Sequence, residues 1–200
     1  MRLVAFTDFH ADIGMMKRIT AFVKKTKPDV VVCCGDMTVF EQHIVPVINW
    51  LGRLHKNVIL VHGNHETPER VRALCAKQKT ITFIHKSITK VKEITFIGWG
   101  GGGFAIIEPD FEQFAKKIGA HIQNKKVVLV THAPPHGTKL DHLGPNWGYV
   151  GNKSITNFIR KNQNVALALF GHLHEHFGKK DRLGKTIIVN PGPMGMLIEV

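Results

Sequence analysis

The residues best suited to chemistry stand in five short polar blocks. Gly171-His172-Leu173-His174 follows the apolar run 165–170, and Asp8-Phe9-His10 follows the run 3–6 at the other end of the chain. Between them lie Gly35-Asp36, Gly63-Asn64-His65-Glu66 and Thr131-His132. Each block comes directly after an apolar run of strand length. Ligands of open α/β sheets bind beyond the carboxyl ends of the strands, so we expect the five blocks to converge on one site.

The side chains of these blocks are typical metal ligands. They offer oxygen and nitrogen and no sulfur, a set that suits manganese, iron, zinc, nickel or cobalt. The predicted ligands are Asp8, His10, Asp36, Asn64, His132, His172 and His174. Seven ligands are too many for one ion that keeps open positions, but they fit two ions that share a carboxylate.

The charge of such a centre indicates its substrate. Two dications against Asp8 and Asp36 leave about two positive charges, which a bridging hydroxide would reduce to about one. A site of that charge can hold a phosphate, and the two ions would make the hydroxide available as a nucleophile at neutral pH.

Composition places the chain among globular proteins. It has 200 residues, of which 44% are hydrophobic and 21% charged, so we predict one domain over residues 1–200. No apolar run reaches the about 18 residues needed to span a bilayer, and the first residues do not resemble a signal peptide. Three cysteines make no disulfide framework. We therefore expect a cytoplasmic protein that does not contact a membrane.

The formal net charge is +12. One interpretation is nucleic-acid binding, because a basic surface attracts phosphates. The other is a solvated surface with scattered lysines, since the sequence shows no arginine-rich stripe or basic patch interleaved with aromatic residues. Both interpretations favour an anionic substrate.

The hydrophobic pattern predicts an α/β fold. The first half alternates strands and helices, and the second half adds hairpins. Strands are expected at 2–7, 30–34, 58–61, 81–84, 87–91, 94–98, 127–130, 165–170, 175–180, 186–190 and 195–199. Helices are expected from Ile13, from Phe40 to Leu54, from Pro68, near Pro109 and over Ser154–Arg160. This order predicts a four-layer sandwich of two mixed β-sheets packed face to face, with helices on both outer faces.

Two loops stand out. Gly98-Trp99-Gly100-Gly101-Gly102-Gly103 has the G-x-G-x-x-G spacing after a strand, but Phe104-Ala105-Ile106-Ile107 separates it from the next helix. It is therefore interpreted as a flexible turn near the site and not as a dinucleotide-binding loop. The loop from Ala133 to Asn152 is long for a compact domain, which is typical of functional loops.

The five blocks, in this order, resemble the calcineurin-like metallophosphoesterase superfamily. The resemblance covers essentially the whole chain. The blocks Gly63-Asn64-His65-Glu66 and Thr131-His132-Ala133-Pro134-Pro135-His136-Gly137, with Glu175, look most like the small Icc-related phosphoesterases.

The resemblance implies a role for each matching residue. The first ion would be bound by Asp8, His10, Asp36 and His174, and the second by Asp36, Asn64, His132 and His172. His65 matches a histidine that is not a ligand and that serves the leaving group. Glu66 replaces the usual aspartate and could orient His65. Asp36 and His65 are thus the predicted catalytic residues, and Asn64, His65 and His136 the predicted substrate contacts.

These arguments predict a metal-dependent phosphoric ester hydrolase with two divalent ions, Mn²⁺ being favoured. The predicted reaction is hydrolysis of phosphodiesters, such as cyclic nucleotides, by a hydroxide that bridges the metals. The expected substrate is a phosphorylated small molecule or nucleotide. A nuclease and a non-catalytic protein-interaction scaffold are the alternatives.

Overall fold

A computed structural model describes residues 1–200 and contains two β-sheets. The first sheet is built from β1 (Arg2–Phe6), β2 (Val30–Cys33), β3 (Val58–Leu60), β4 (Ile81–Phe83) and β11 (Met196–Glu199). Its strand order is β11-β1-β2-β3-β4, and β11 is the antiparallel strand. The helices between its parallel strands are α1 (Ile13–Thr26), α2 (Ile44–Leu54) and α3 (Pro68–Cys75).

The second sheet has six strands in the order β5-β6-β7-β8-β10-β9. These are β5 (Ser87–Val91), β6 (Ile94–Trp99), β7 (Lys126–Thr131), β8 (Val165–Leu169), β9 (Lys179–Leu183) and β10 (Thr186–Asn190). The strands β6, β7, β8 and β10 are parallel, and antiparallel β5 and β9 form the two edges. Helices α4 (Pro109–Ile122) and α5 (Lys153–Lys161) complete this half.

Alternate residues of the buried strands face different cores, which defines the layers. In β1, Val4 packs in a cluster with Ile19 of α1 and Ile48 of α2, so these helices cover the outer face of the first sheet. Leu3 and Ala5 belong to a cluster that joins the two sheets. A third cluster packs α4 and α5 on the outer face of the second sheet. The predicted four-layer sandwich is confirmed.

The predicted hairpin at residues 87–98 is also confirmed, since β5 and β6 pair in antiparallel register from Ser87–Gly98 to Val91–Ile94. Two predicted boundaries are wrong. Residues His174–His176 form a turn of 3₁₀-helix, and the strand predicted at 175–180 begins only at Lys179. Helix α2 begins at Ile44, because Phe40, Glu41 and His43 all adopt left-handed backbone conformations.

The long loop between β7 and α5 is ordered around one buried carboxylate. Asp141 accepts hydrogen bonds from the backbone N–H groups of Gly137, Thr138 and Gly151 and from the Thr138 hydroxyl, at 2.6–3.0 Å. These bonds close the loop on itself above the start of α5. None of the five helices is long and apolar enough to cross a bilayer.

Candidate metal centre

The structure brings the five polar blocks together at the carboxyl ends of β1, β2, β3, β7 and β8. Three groups of side chains have ligand atoms within 4.8 Å of one another. They are Asp8-His10-His174, His10-Asp36-His65 and Asp36-His132-His172. The first and second groups share His10, and the second and third share Asp36. All the predicted histidine and aspartate ligands therefore lie in one continuous cluster.

Asp36 is the central side chain of this cluster. It is 3% exposed, and its Oδ2 lies 3.4 Å from Nε2 of His132 and 3.8 Å from Nε2 of His65. Burial alone would raise the pKa of Asp36, but the hydrogen bond and charge of His132 outweigh burial and lower that pKa to about 2. Asp36 is thus ionised at neutral pH and faces imidazoles on two sides.

Asp8 is held by backbone and hydroxyl donors. Its carboxylate accepts hydrogen bonds from the backbone N–H of His172, at 3.1 and 3.2 Å, and from the Thr7 hydroxyl, at 2.6 Å. The oxygen Oδ1 lies 3.6 Å from Nε2 of His174. The hydrogen bond with Asp8 raises the pKa of His174. These contacts hold the end of β1, which carries Asp8, against the block that contains His172 and His174.

In two histidines Nδ1, the ring nitrogen that faces away from the cluster, is held by a backbone carbonyl. Nδ1 of His10 lies 3.1 Å from the carbonyl oxygen of Thr38, and Nδ1 of His132 lies 2.9 Å from that of Cys34. A carbonyl can only accept, so both Nδ1 atoms carry the proton and donate. Neutral rings in this tautomer direct the Nε2 lone pair into the cluster, as metal-binding histidines do.

The surroundings of the Nε2 atoms that face the cluster fit metal ions. Nε2 of His10 lies 3.4 Å from Nε2 of His174, and Nε2 of His132 lies 3.0 Å from Oδ1 of Asn64. Nε2 of His172 is buried and has no hydrogen-bond partner. An orphaned buried nitrogen is costly unless something binds it. Lone pairs that converge in this way are those of a cation site.

The protonation of His132 shows what a metal ion would have to displace. Burial opposes the charged form of His132, but the hydrogen bond and charge of Asp36 prevail and raise its pKa to about 9. Burial and the charge of His132 lower the pKa of His172 to about 4. A metal ion that binds Nε2 of His132 would therefore compete with a proton for that nitrogen.

The backbone at the cluster is strained. Asp8, His10, Asp36 and His172 all have positive φ, between 46° and 69°. Non-glycine residues seldom adopt this conformation, and it concentrates at functional sites. Glycines make the close packing of the blocks feasible. A side chain at Gly63 would collide with Asp36, and one at Gly171 would collide with Thr7 and Asp8.

Glu66 does not orient His65, and that expectation is wrong. Its carboxylate is buried and accepts hydrogen bonds from the backbone N–H of Gly63, at 2.9 Å, and from the backbone and hydroxyl of Thr38, at 2.8 and 2.9 Å. The extra methylene carries the carboxylate back into the protein, where it joins the second and third blocks. Nδ1 of His65 accepts instead from the backbone N–H of Phe40, at 3.4 Å.

His136 is not part of the cluster. Its ring packs near Tyr149, with centroids 5.8 Å apart, and it lines a cavity of about 450 Å³ together with Lys153 and Arg160. None of the predicted ligands lines that cavity. The glycine-rich segment, by contrast, does lie at the site, because a methyl group built on Gly103 would be 3.8 Å from His172 Cε1 and from Asn64 Cβ.

Sequence reasoning did not identify two aromatic rings at the centre. The ring of Phe40 lies 4.6 Å from that of His65, and the ring of Phe104 lies 4.4 Å from that of His172. Both phenylalanines are largely exposed, at 74% and 61%. The hydrophobic pattern assigned Phe40 to the start of a helix, and Phe104 follows a run of glycines, so neither pattern indicates a place at the centre.

A two-sheet α/β sandwich with aspartates, histidines and an asparagine at its strand ends defines a class of metal-dependent phosphoesterases. The family model of the calcineurin-like phosphoesterase superfamily domain matches residues 1–198. The chain belongs to the calcineurin-like phosphoesterase superfamily. Its fold implies a site for two divalent ions, which the clustered side chains fit.

The chain is also similar to proteins with known sequences or structures. The uncharacterized protein MJ1162 of Methanocaldococcus jannaschii is 32% identical over 207 residues, which cover 99% of this chain and 91% of that protein. Crystal structures with the same fold include TT1561 of Thermus thermophilus, with a TM-score of 0.78, 17% identity and coverage of 96% and 89%. Phosphopantetheinyl hydrolase of Mycobacterium tuberculosis has a TM-score of 0.66, 14% identity and coverage of 95% and 88%. At these identities the structural likeness concerns the fold alone.

Proposed function

We propose that this protein is a dinuclear phosphoesterase that hydrolyses phosphodiesters, such as cyclic nucleotides, in the cytoplasm. The observation that carries the proposal is the position of Asp36. Its carboxylate belongs both to the group with His10 and His65 and to the group with His132 and His172. One shared carboxylate between two histidine groups is the arrangement that two adjacent ions need.

The proposed ligands divide into two sets around that carboxylate. Asp8, His10, Asp36 and His174 would hold the first ion, and Asp36, Asn64, His132 and His172 would hold the second. Mn²⁺ is favoured, and Fe, Zn, Ni and Co suit the same donors. Bound ions supply Lewis acidity toward the phosphoryl oxygens and lower the pKa of water to near neutrality.

The residues of the chain itself position the substrate and move a proton. Nδ1 of His65 accepts from the backbone of Phe40, so a neutral His65 carries its proton on Nε2. That nitrogen faces Asp36 at 3.8 Å and points into the cluster. His65 is therefore placed to donate to the leaving oxygen, while the amide of Asn64 and the ring of His65 contact the phosphate. His136 contacts a more distant part of the substrate from its own cavity.

Diesters are preferred over monoesters because the centre is open. The side chain of His174 is 54% exposed, so groups on both sides of a phosphate can be accommodated. A nuclease is the second candidate, favoured by the net charge of +12. The expected partner is a phosphorylated small molecule or nucleotide.

The experiment is a turnover screen of the protein reconstituted with Mn²⁺. The substrates are 4-nitrophenyl phosphate, bis(4-nitrophenyl) phosphate, 3′,5′- and 2′,3′-cyclic nucleotides and a single-stranded oligonucleotide. We expect the diesters to be hydrolysed at least tenfold faster than the monoester. Faster turnover of the monoester would contradict the diester proposal, and cleavage of the oligonucleotide alone would establish the nuclease. A protein that binds metal but hydrolyses nothing would instead be the scaffold.

A further inference from the structure

The glycine-rich segment 100–104 holds an aromatic ring beside the proposed centre. Phe104 is 61% exposed and belongs to none of the three hydrophobic cores. Its ring meets that of His172 at an interplanar angle of 66°, an edge-to-face contact. With 61% of Phe104 exposed, the phenyl ring is accessible to a flat ligand.

Hydrogen bonds to the backbone before and after Phe104 hold the segment in place. The N–H of Gly101 donates to the carbonyl of His62 at 3.0 Å, and the side chain of Asn152 donates to the carbonyl of Ala105 at 2.7 Å. Gly101, Gly102 and Gly103 all have positive φ, which lets three consecutive residues turn in the left-handed region. The turn places Gly103 beside the centre, because a methyl group on its Cα would lie 3.8 Å from Asn64 Cβ and from His172 Cε1. Phe104 is thus presented at the centre by an anchored loop.

The charge of the centre and the aromatic ring of Phe104 together indicate which ligand fits the site. A centre that binds phosphate lies next to an exposed aromatic face, in a protein with a net charge of +12. The ligand that matches both features has a phosphate and a flat ring close to it, as nucleotides do. Aromatic side chains bind nucleobases by stacking, without a hydrogen-bonding pattern specific to one base.

We infer that Phe104 is a specificity-determining residue that stacks on the nucleobase of the ester group retained on phosphorus after hydrolysis. The inference rests on the proposed function, because it takes His65 as the donor to the leaving group. His65 lies in the group with His10, whereas Phe104 contacts His172 in the group with His132. The ester group beside Phe104 is therefore the one that stays on the phosphate.

The test compares three diesters that share 4-nitrophenolate as the leaving group. Their retained groups are methyl, cyclohexyl and thymidine linked through its 5′-oxygen. In each reaction water supplies an oxygen to phosphorus, the bond from phosphorus to the nitrophenolate oxygen breaks, and the solvent takes up the released proton. Because the leaving group is constant, the ratio of kcat/KM between two esters reports contacts of the retained group alone.

For the protein with Mn²⁺ we expect kcat/KM for the thymidine ester to exceed that for the methyl ester at least tenfold. Phe104→Ala should lower this ratio roughly tenfold, which is the size of one stacking contact. It should lower the rate on the methyl ester much less than the rate on the thymidine ester, and Phe104→Trp should restore the ratio. The matched control is Ile107→Ala, on the same loop and 60% exposed. That variant should leave the ratio unchanged.

Three results would overturn the inference. In the first, Phe104→Ala changes kcat/KM for none of the esters. In the second, it lowers kcat/KM for all three esters equally, which would mean that Phe104 only supports His172. A cyclohexyl ester hydrolysed as well as the thymidine ester would show an apolar pocket without a preference for flat rings. If the unaltered protein with Mn²⁺ hydrolysed none of the esters, the proposed function itself would fail. Metal content and Tm of each variant exclude misfolding.

Discussion

The backbone N–H of His65 donates a hydrogen bond to Oδ1 of Asp36 at 3.1 Å. The third polar block thereby orients the carboxylate of the second. With Oδ1 held in this way, Oδ2 faces the imidazoles of His65 and His132. The orientation of the proposed bridging ligand is therefore set by the backbone of a neighbouring strand-end, and it does not depend on which ion is bound.

Asp36→Asn should abolish turnover while leaving the fold intact. The amide is the same size and keeps an oxygen for the N–H of His65, but it lacks the charge that two ions share. We expect kcat to fall at least about a thousandfold, as when a central electrostatic contact is lost, and the free energy of unfolding to change by less than about 2 kcal/mol. Steady-state assays and urea denaturation measure both. Asp110→Asn, at an exposed carboxylate, serves as the control. Near-normal turnover of Asp36→Asn would remove Asp36 from the proposed mechanism.

The purified protein should bind two divalent ions per chain. The reason is that six of the seven proposed ligands lie in one cluster with Asp36 between its two halves, and the seventh, Asn64, lies against His132. Elemental analysis after Mn²⁺ loading and desalting gives the stoichiometry. Saturation at one ion, or at none, would contradict the dinuclear proposal. His132→Ala should bind the first ion and not the second.

His65→Ala should keep both ions and lose activity selectively. A proton donor matters most for a poor leaving group, and general acid catalysis contributes about 10²–10⁴-fold. We therefore expect much larger losses of kcat on alkyl esters than on 4-nitrophenyl esters, whose leaving group departs as a stabilised anion. If kcat falls equally on alkyl and 4-nitrophenyl esters while the metal is retained, His65 does not act as an acid and only stabilises charge in the transition state. Loss of metal would make His65 a ligand, a role that its place in the group with His10 and Asp36 also permits.

Gly171→Ala should damage the metal centre. A methyl group there would collide with Thr7 and Asp8, and neither can withdraw without breaking the hydrogen bonds that hold Asp8. We expect a loss of stability of about 1–3 kcal/mol and weaker binding of Mn²⁺. Gly119→Ala is the matched control, because α4 leaves that site open. It should stabilise the protein by about 0.5–1 kcal/mol. Calorimetry measures both variants, and equal effects would refute the steric argument.

The stability of the protein should depend on His85 in mildly acidic solution. Burial, aided by the charge of Lys86, lowers the pKa of His85 to about 4. Its Nδ1 also accepts from the backbone N–H of Gly100 at 2.9 Å, which needs an unprotonated nitrogen. As pH falls below about 6.5, the unfolded chain binds a proton that the folded protein cannot bind until about pH 4. His85 should therefore contribute a loss of stability of up to about 1.4 kcal/mol per pH unit across this range.

Denaturant titrations of the unaltered protein and of His85→Gln test this expectation. The glutamine carbonyl can accept from Gly100 and does not titrate. The variant should lose less stability between pH 6.5 and pH 4, while the difference between the two proteins should be constant above pH 7. Parallel profiles over the whole range would show that His85 does not control the acid sensitivity.

The sequence predicted the side chains of the site that directly follow a strand. Five apolar runs followed by polar blocks place Asp8 and Asp36 at one edge of the first sheet, and His132 and His172 at one edge of the second. The face-to-face packing of the two sheets brings these edges together. Phe104 and Glu66 were not predictable in this way. Phe104 follows a turn of three glycines with positive φ angles and contacts His172. Glu66 accepts from the backbone of Thr38, 28 positions earlier in the chain. The single-domain prediction and the substrate role of His136 stay predictions.

The bond between Asp8 and the backbone of His172 joins residues 164 positions apart. A ribosome adds about 5–20 residues per second, so the two partners are made on the order of ten to thirty seconds apart. During that interval Asp8 and His10 lack His172 and His174, with which they cluster in the folded protein. Ions that reach the nascent chain can bind only weakly and reversibly. The complete set of proposed ligands is consequently offered only by the finished fold.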